Sequence, residues 1–309
     1  AKNFTVWYKG EFYRSPKTHP KDPYPTYFGS IHGVMFDQTK KGLIEGVEVL
    51  GCNRCGIILA ATGDALNAQN AKWYKGENKE ADLTEHGREN TVKNCFSHHN
   101  RVAGVMIQNQ VKANIWGCSA HFNGHEADGA TGYGIVMASG SVNVDCTVEE
   151  CLVECNYRKG LDVHDAYSST FRQNTSRGNR FFGVAIEGRG YPMAKCHIVR
   201  NVLIQDPDFR LVVDDGHTTW KDDTNSDYYR WCAIRFEVNP QALKQNYKVP
   251  DVVDLQATEN FISGINWDGR AAHQAIIVAN REDDKGTVIK VNIAKNIIKG
   301  NRITNILFA

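Results

Sequence analysis

The octapeptide Lys159-Gly160-Leu161-Asp162-Val163-His164-Asp165-Ala166 sets three ionisable side chains, Asp162, His164 and Asp165, within four positions. Two carboxylates and an imidazole this close are groups that give, take or shuttle a proton near neutral pH. Further on, Glu187, Arg235 and Glu237 stand in segments of the same shape, FFGVAIEGR (181–189) and WCAIRFEVN (231–239). Whether these residues meet depends on the elements that carry them.

Those elements repeat. A small or polar turn, a Gly or Ala, and two apolar residues spaced by one recur in NRCGIILAA (53–61), RVAGVMIQN (101–109), GYGIVMASG (132–140), RKGLDVHDA (158–166), the two segments above and HQAIIVANR (273–281). Gly104, Gly134, Gly160 and Gly183 are 30, 26 and 23 residues apart. Ahead of most of them lies a second short segment that begins with Asn or Cys, such as EECLVECN or ENFISGIN. Short strands with Asn and Gly turns at this period predict an all-β chain, a right-handed, single-stranded parallel β-helix (a solenoid) with loop insertions. No L-x-x-L-x-L frame of a leucine-rich repeat holds, and helical periodicity is sparse, so few helices are expected. The expectation is one β-helix domain over 1–309, the central part of a longer protein. Residues 10–30, with four of the eight prolines, read as a surface loop. Residues 206–230 read as a loop inserted into one rung, which leaves the strands at 183 and 233 on neighbouring rungs. RLVVDD (210–215) is the alternative, as a strand of its own rung.

Side chains alternate faces along a strand. The residues one and three after the Gly or Ala, from Ile57/Leu59 through Leu161/Val163 to Ile276/Val278, are all apolar and face inward. The residues two and four after it face outward: Ile58/Ala60, Met106/Gln108, Val136/Ala138, Asp162/His164, Ala185/Glu187, Arg235/Glu237 and Ile277/Ala279. Charge is concentrated on the three middle rungs. With strands about 4.8 Å apart, His164, Glu187 and Glu237 form a column. Two carboxylates that close do not both ionise cheaply, which suits a general acid beside a general base or nucleophile, as in glycoside cleavage. Glu187 with Glu237 fits the spacing of a retaining pair, and diagonal Asp162 with Glu187 that of an inverting pair. Arg235, Arg189 and Lys159 flank the column and suit a sugar bearing carboxylates, or the enolate-like charge of an elimination. Arg235 paired simply with Glu237 is the plainer alternative. Trp220, Tyr228, Tyr229 and Trp231 either wall a saccharide groove or form the inserted loop's own small core. Asp165 falls where the strand turns and is as much a turn residue as a catalyst. The ligand types of Asp162, His164 and Glu187 suit a metal, yet nothing in the spacing demands one, so neither metal nor cofactor is expected. His98–His99 and HFNGHEADG (121–129) are given no role beyond a rim.

The formal charge is +1, from 36 Lys and Arg against 35 Asp and Glu. Net charge therefore gives no reason for a nucleic-acid or membrane-surface partner. No apolar run reaches the roughly 18–20 residues that span a bilayer. The nine cysteines are odd in number and irregular in spacing, a poor disulfide framework. Cys52-x-x-Cys55 has no second pair to complete a zinc site, so the thiols read as small buried groups of a chain made in a reducing cytoplasm.

Over almost its whole length the chain resembles the pectate-lyase-like β-helix superfamily, whose members mostly bind, cut or modify polysaccharides. Within it, the sequence resembles the central domains of bacteriophage tailspikes, the capsule and O-antigen depolymerases. That resemblance implies a homotrimer on a virion tail, made in the host cytoplasm and acting outside the cell on a bacterial polysaccharide. Asp162-Val163-His164-Asp165 also resembles the Asp-x-His-Asp/Glu signature of mannuronan C5-epimerases, with Glu187 at the neighbouring acidic position. The tyrosine of that family, three residues before the first Asp, is Lys159 here, and a Lys of lowered pKa is the candidate for its proton-transfer role. The leading reading is a tailspike-type depolymerase with Asp162, His164, Glu187 and Glu237 catalytic and Lys159, Arg189, Arg235, Trp220, Tyr228 and Tyr229 on substrate. A uronate-directed lyase or C5-epimerase is second, and a non-catalytic glycan-binding adhesin third.

Overall fold

The computed structural model describes residues 1–8, 31–124, 131–188, 192–205, 231–238, 247–248, 252–265, 274–280, 288–300 and 304–308. Among these the strands form three parallel sheets of eight, nine and nine strands, and one short two-stranded pair. Each rung runs from a strand of sheet 1 to one of sheet 2 and then one of sheet 3. Thr91–Lys93, Phe96–His98 and Ala103–Ile107 make one rung, and each pairs in parallel with the same element of the next. The expected β-helix is the observed fold.

The interior follows the alternation read from the sequence. Ile57, Val105, Ile135, Leu161, Val184, Ile234 and Ile276 stack through sheet 3 with no exposed surface. Burying each such side chain stabilises the fold by about 1.5–3 kcal/mol. The recurring glycine has a steric cause. A Cβ on Gly134 would meet the carbonyl oxygen of Gly160 at 2.6 Å, and one on Gly160 that of Gly183 at 2.9 Å, so neighbouring strands leave no room for a side chain there.

The turns bury polar backbone, and side-chain ladders satisfy it. Between sheets 2 and 3, the Nδ2 of Asn100 donates to Asn123 at 3.1 Å, that of Asn123 to Asn156 at 3.0 Å, and that of Asn156 to Asn179 at 2.8 Å. Between sheets 1 and 2, Asn174, Asn201, Asn260 and Asn296 repeat the device. In earlier rungs Cys95, Cys118 and Cys151 hold that column, with thiols against the turn carbonyls of Lys93, Trp116 and Glu149 at 3.2–3.4 Å. All nine cysteines are buried and free. Burial pushes the thiols of Cys55, Cys146, Cys196 and Cys232 up to about 12, so they are protonated filler.

The helix Asp64–Tyr74 is the element the repeat did not announce. It puts Leu66, Asn70 and Tyr74 on one buried face, and Asn70 docks it by donating to Asn109 Oδ1 at 3.1 Å.

Candidate active site

Sheet 3 positions the charged residues in the register that alternation predicts. Lys159–Val163 pairs with Phe182–Glu187, aligning Asp162 with Ala185. Phe182–Glu187 pairs directly with Cys232–Val238, aligning Ala185 with Arg235 and Glu187 with Glu237. His164, one step past the Val163–Ile186 pair, stands level with Glu187.

The outward patch differs from a solvated face in being buried. Asp162 and Lys159 have no exposed surface, and Glu187, Glu237, His164 and Arg235 keep 4–9%. Buried charges persist only when paired, and these are. Lys159 Nζ lies 3.0 Å from Asp162 Oδ1 and 2.8 Å from Glu187 Oε1. His164 Nε2 lies 2.7 Å from Asp162 Oδ2. Arg235 donates to Glu237 Oε2 at 2.5 Å. Three carboxylates face two permanent cations here.

Two expectations change. Glu187 and Glu237 are neighbours in register, but each is engaged by its own cation, so they are not a bare carboxylate pair. The lowered value expected of Lys159 is not found: burial alone would push its ammonium down, but Asp162 and Glu187 outweigh it and hold the group above the ordinary lysine value. It has no exposed surface and clamps two carboxylates. Asp162 shows the mirror image. Burial would raise its carboxyl, while His164 and Lys159 bring it below the usual carboxylate range.

Asp165 is a turn residue here, its Oδ2 accepting from the Gly140 backbone at 2.7 Å and from Ser139 at 3.1 Å. Trp231 lies in the interior core, not on a groove wall. Arg189, Trp220, Tyr228 and Tyr229, with the rest of 206–230, lie outside the described residues.

Sequence reading missed Tyr133 and Phe182. Tyr133 meets the His164 ring edge-on at 5.3 Å between centroids. Lys159 Nζ lies 5.9 Å from the Tyr133 ring centre and 5.6 Å from that of Phe182, which also holds Arg235 at 5.4 Å. Their signal is the column just before the glycine, where Tyr133, Lys159 and Phe182 are paired in register. Asp162, His164 and Glu187 have the donor types of a metal site, with ligand atoms within 4.8 Å of one another. The Lys159 ammonium, however, already stands between the two carboxylates, where a cation would go.

Fold and site together define a parallel β-helix with a buried, charge-paired cluster on one sheet. The chain belongs to the right-handed β-helix family, whose model, described as a right handed beta helix region, matches residues 32–203. No curated protein matches it with significance. Among solved structures, the N-terminal fragment of gene product 12 of bacteriophage phi29 is similar, with 14% identity and a TM-score of 0.52. The match covers 99% of this chain and 51% of that one, so the chain spans about half its length. At that identity the likeness is one of fold.

Proposed function

We propose that this chain degrades a uronate-bearing bacterial surface polysaccharide by acid–base chemistry at His164, as part of a homotrimeric phage-tail protein. The observation that carries the reading is the 2.7 Å contact between His164 Nε2 and Asp162 inside a buried, charge-paired cluster. Asp162, fixed by Lys159, sets its carboxylate against Nε2, which favours the tautomer with the proton there and leaves Nδ1 as the base. Nδ1 takes the proton from the carbon beside the uronate carboxylate, and Arg235, in register with Ala185 on the next rung, is the candidate cation for that carboxylate. The electron pair forms the ring double bond, the bond to the leaving oxygen breaks, and the imidazolium returns a proton to that oxygen. Elimination is favoured over hydrolysis because every carboxylate of the cluster is engaged by a cation. Hydrolysis remains the second reading, supported by the Glu187–Glu237 register.

Capsule, O-antigen and exopolysaccharide preparations incubated with the protein should be shortened, with new ultraviolet absorbance from an unsaturated uronate. Hydrolysis gives new reducing ends without that absorbance. His164→Gln should lower kcat by about 10²–10⁴. Full activity in His164→Gln sinks the site, and binding without shortening across the panel favours the adhesin reading.

A further inference from the structure

A second cluster of titratable groups lies on sheet 2 and the turn after it, unused by the chemistry above. We propose that His98 and His99 form a two-imidazole binding site for a borderline divalent cation of the zinc, nickel or copper class. Their Nδ1 atoms face each other at 2.7 Å, so one ring presents a lone pair and the other a proton to the same point. A cation replaces that shared proton, which moves to Nε2 of the His99 ring by tautomerisation. Bonds of about 2.0–2.1 Å at a tetrahedral angle need the nitrogens roughly 3.3 Å apart, a small pivot for two side chains at the surface.

The surroundings are those of ligands held in place. Glu48 Oε1 lies 3.3 Å from His98 Nε2, which fixes the tautomer with its lone pair on Nδ1. His98 and His121 are aligned on neighbouring strands, and Glu154 engages His121 Nδ1 at 3.2 Å in the same way. The remaining nitrogen of His121, Nε2, is buried without a hydrogen-bond partner beside this pair. Phe96 stacks on His98 at 4.2 Å and Phe122 on His99 at 5.3 Å, walling both rings with apolar faces.

His99 has φ 53° in a turn column that other rungs fill with Gly51 at 74°, Phe122 at 49°, Cys155 at 50° and Gly178 at 63°. Imidazole donors select zinc, nickel and copper over calcium and magnesium, which take oxygen.

The test is calorimetric titration of the full chain, free of any histidine tag, with zinc, nickel and copper chlorides and calcium chloride as control. One transition-metal ion per chain is expected, with no calcium heat. His99→Gly installs the residue that this column holds at Gly51 and Gly178, so the variant folds, and it should abolish binding. Glu48→Gln should weaken binding roughly 10-fold. The copper(II) resonance spectrum should show imidazole nitrogen coupling that His99→Gly removes. His164→Gln should bind as the parent does, which separates this site from the Asp162 cluster. No heat with any of the three metals, binding that survives His99→Gly, or binding lost in His164→Gln each overturns the proposal.

Discussion

The outer face of sheet 3 has two halves built on one interior. In the earlier rungs Ile58, Met106 and Val136 stand outward and form a buried apolar cluster with Val102 and Tyr133. In the later rungs the same columns hold Asp162, Glu187, Arg235 and Glu237. Register, the inward stack and the asparagine ladder from Asn100 to Asn179 continue across the boundary. Val136 is paired directly with Asp162, so one step along the axis exchanges an isopropyl group for a carboxylate. Both halves are buried, and only one needs ions to be so. An apolar face stabilises by being covered, whereas a buried ion cluster at best offsets its own desolvation. The charged half is therefore expensive for folding, and that points to chemistry as its reason.

Breaking the pairing in the charged half should have the largest effect. Lys159→Met keeps the aliphatic stem and removes the ammonium, leaving Asp162 and Glu187 as neighbouring buried carboxylates. Unfolding in urea should show a loss of about 3–5 kcal/mol. A loss below about 1 kcal/mol would mean that water reaches the cluster and screens it.

Making the charged half copy the apolar half should act in the opposite direction. Lys159→Met, Asp162→Val and Glu187→Leu together replace the ion cluster by side chains of the Val136 type. Stability should equal or exceed that of the parent, by up to about 1–4 kcal/mol, while activity on polysaccharide disappears. Marked destabilisation of the triple variant would show that the ions themselves hold the rungs.

The two halves also explain how much was legible in the sequence. The interior was readable because alternation is a local property, and the glycines fixed its phase. Register then followed, since aligning Gly104, Gly134, Gly160 and Gly183 aligns every residue after them. Thus Glu187 beside Glu237 was legible. Arg235 paired with Glu237 was legible as the plainer alternative, but the clamp of Lys159 on Asp162 and Glu187 was not, because Lys159 precedes its glycine and its reach to the outward side depends on a backbone that the alternation rule does not cover. Tyr133 and Phe182 stayed unread for the same reason. Nor does any pattern in the sequence say that the charged face is buried, since burial depends on contacts between distant segments. The left-handed turn positions of His99 and Phe122 were likewise invisible, since their column looks like glycine positions filled at random.

pH separates the halves more gently. Asp162 titrates below its ordinary value when folded, so its contribution is present above the unfolded value of about 3.9 and is lost as pH falls through the lower folded value. Lys159 titrates above its ordinary value, so its contribution is present below about 10.4 and is lost as pH rises through the higher folded value. The difference in melting temperature between the parent and the triple variant should therefore be flat from about pH 5 to 9. At either extreme it should move against the parent. A difference that changes steadily through neutral pH would mean that some other group titrates with folding.

The smallest effect concerns the ring at the boundary of the two cations. Phe182 lies in register with Lys159 and packs under both Lys159 and Arg235. In the apolar half the same column holds Ala103, with no cation over it. If Phe182 serves the charges, Phe182→Leu and Lys159→Met should be coupled by about 0.5–2 kcal/mol in a double-mutant cycle, the range of a partly desolvated cation–π contact. If it only fills space, the two losses should add. Additivity would make the charged half an apolar face with ions inserted, whereas coupling would make the ring part of the electrostatic cluster that holds Asp162 against His164.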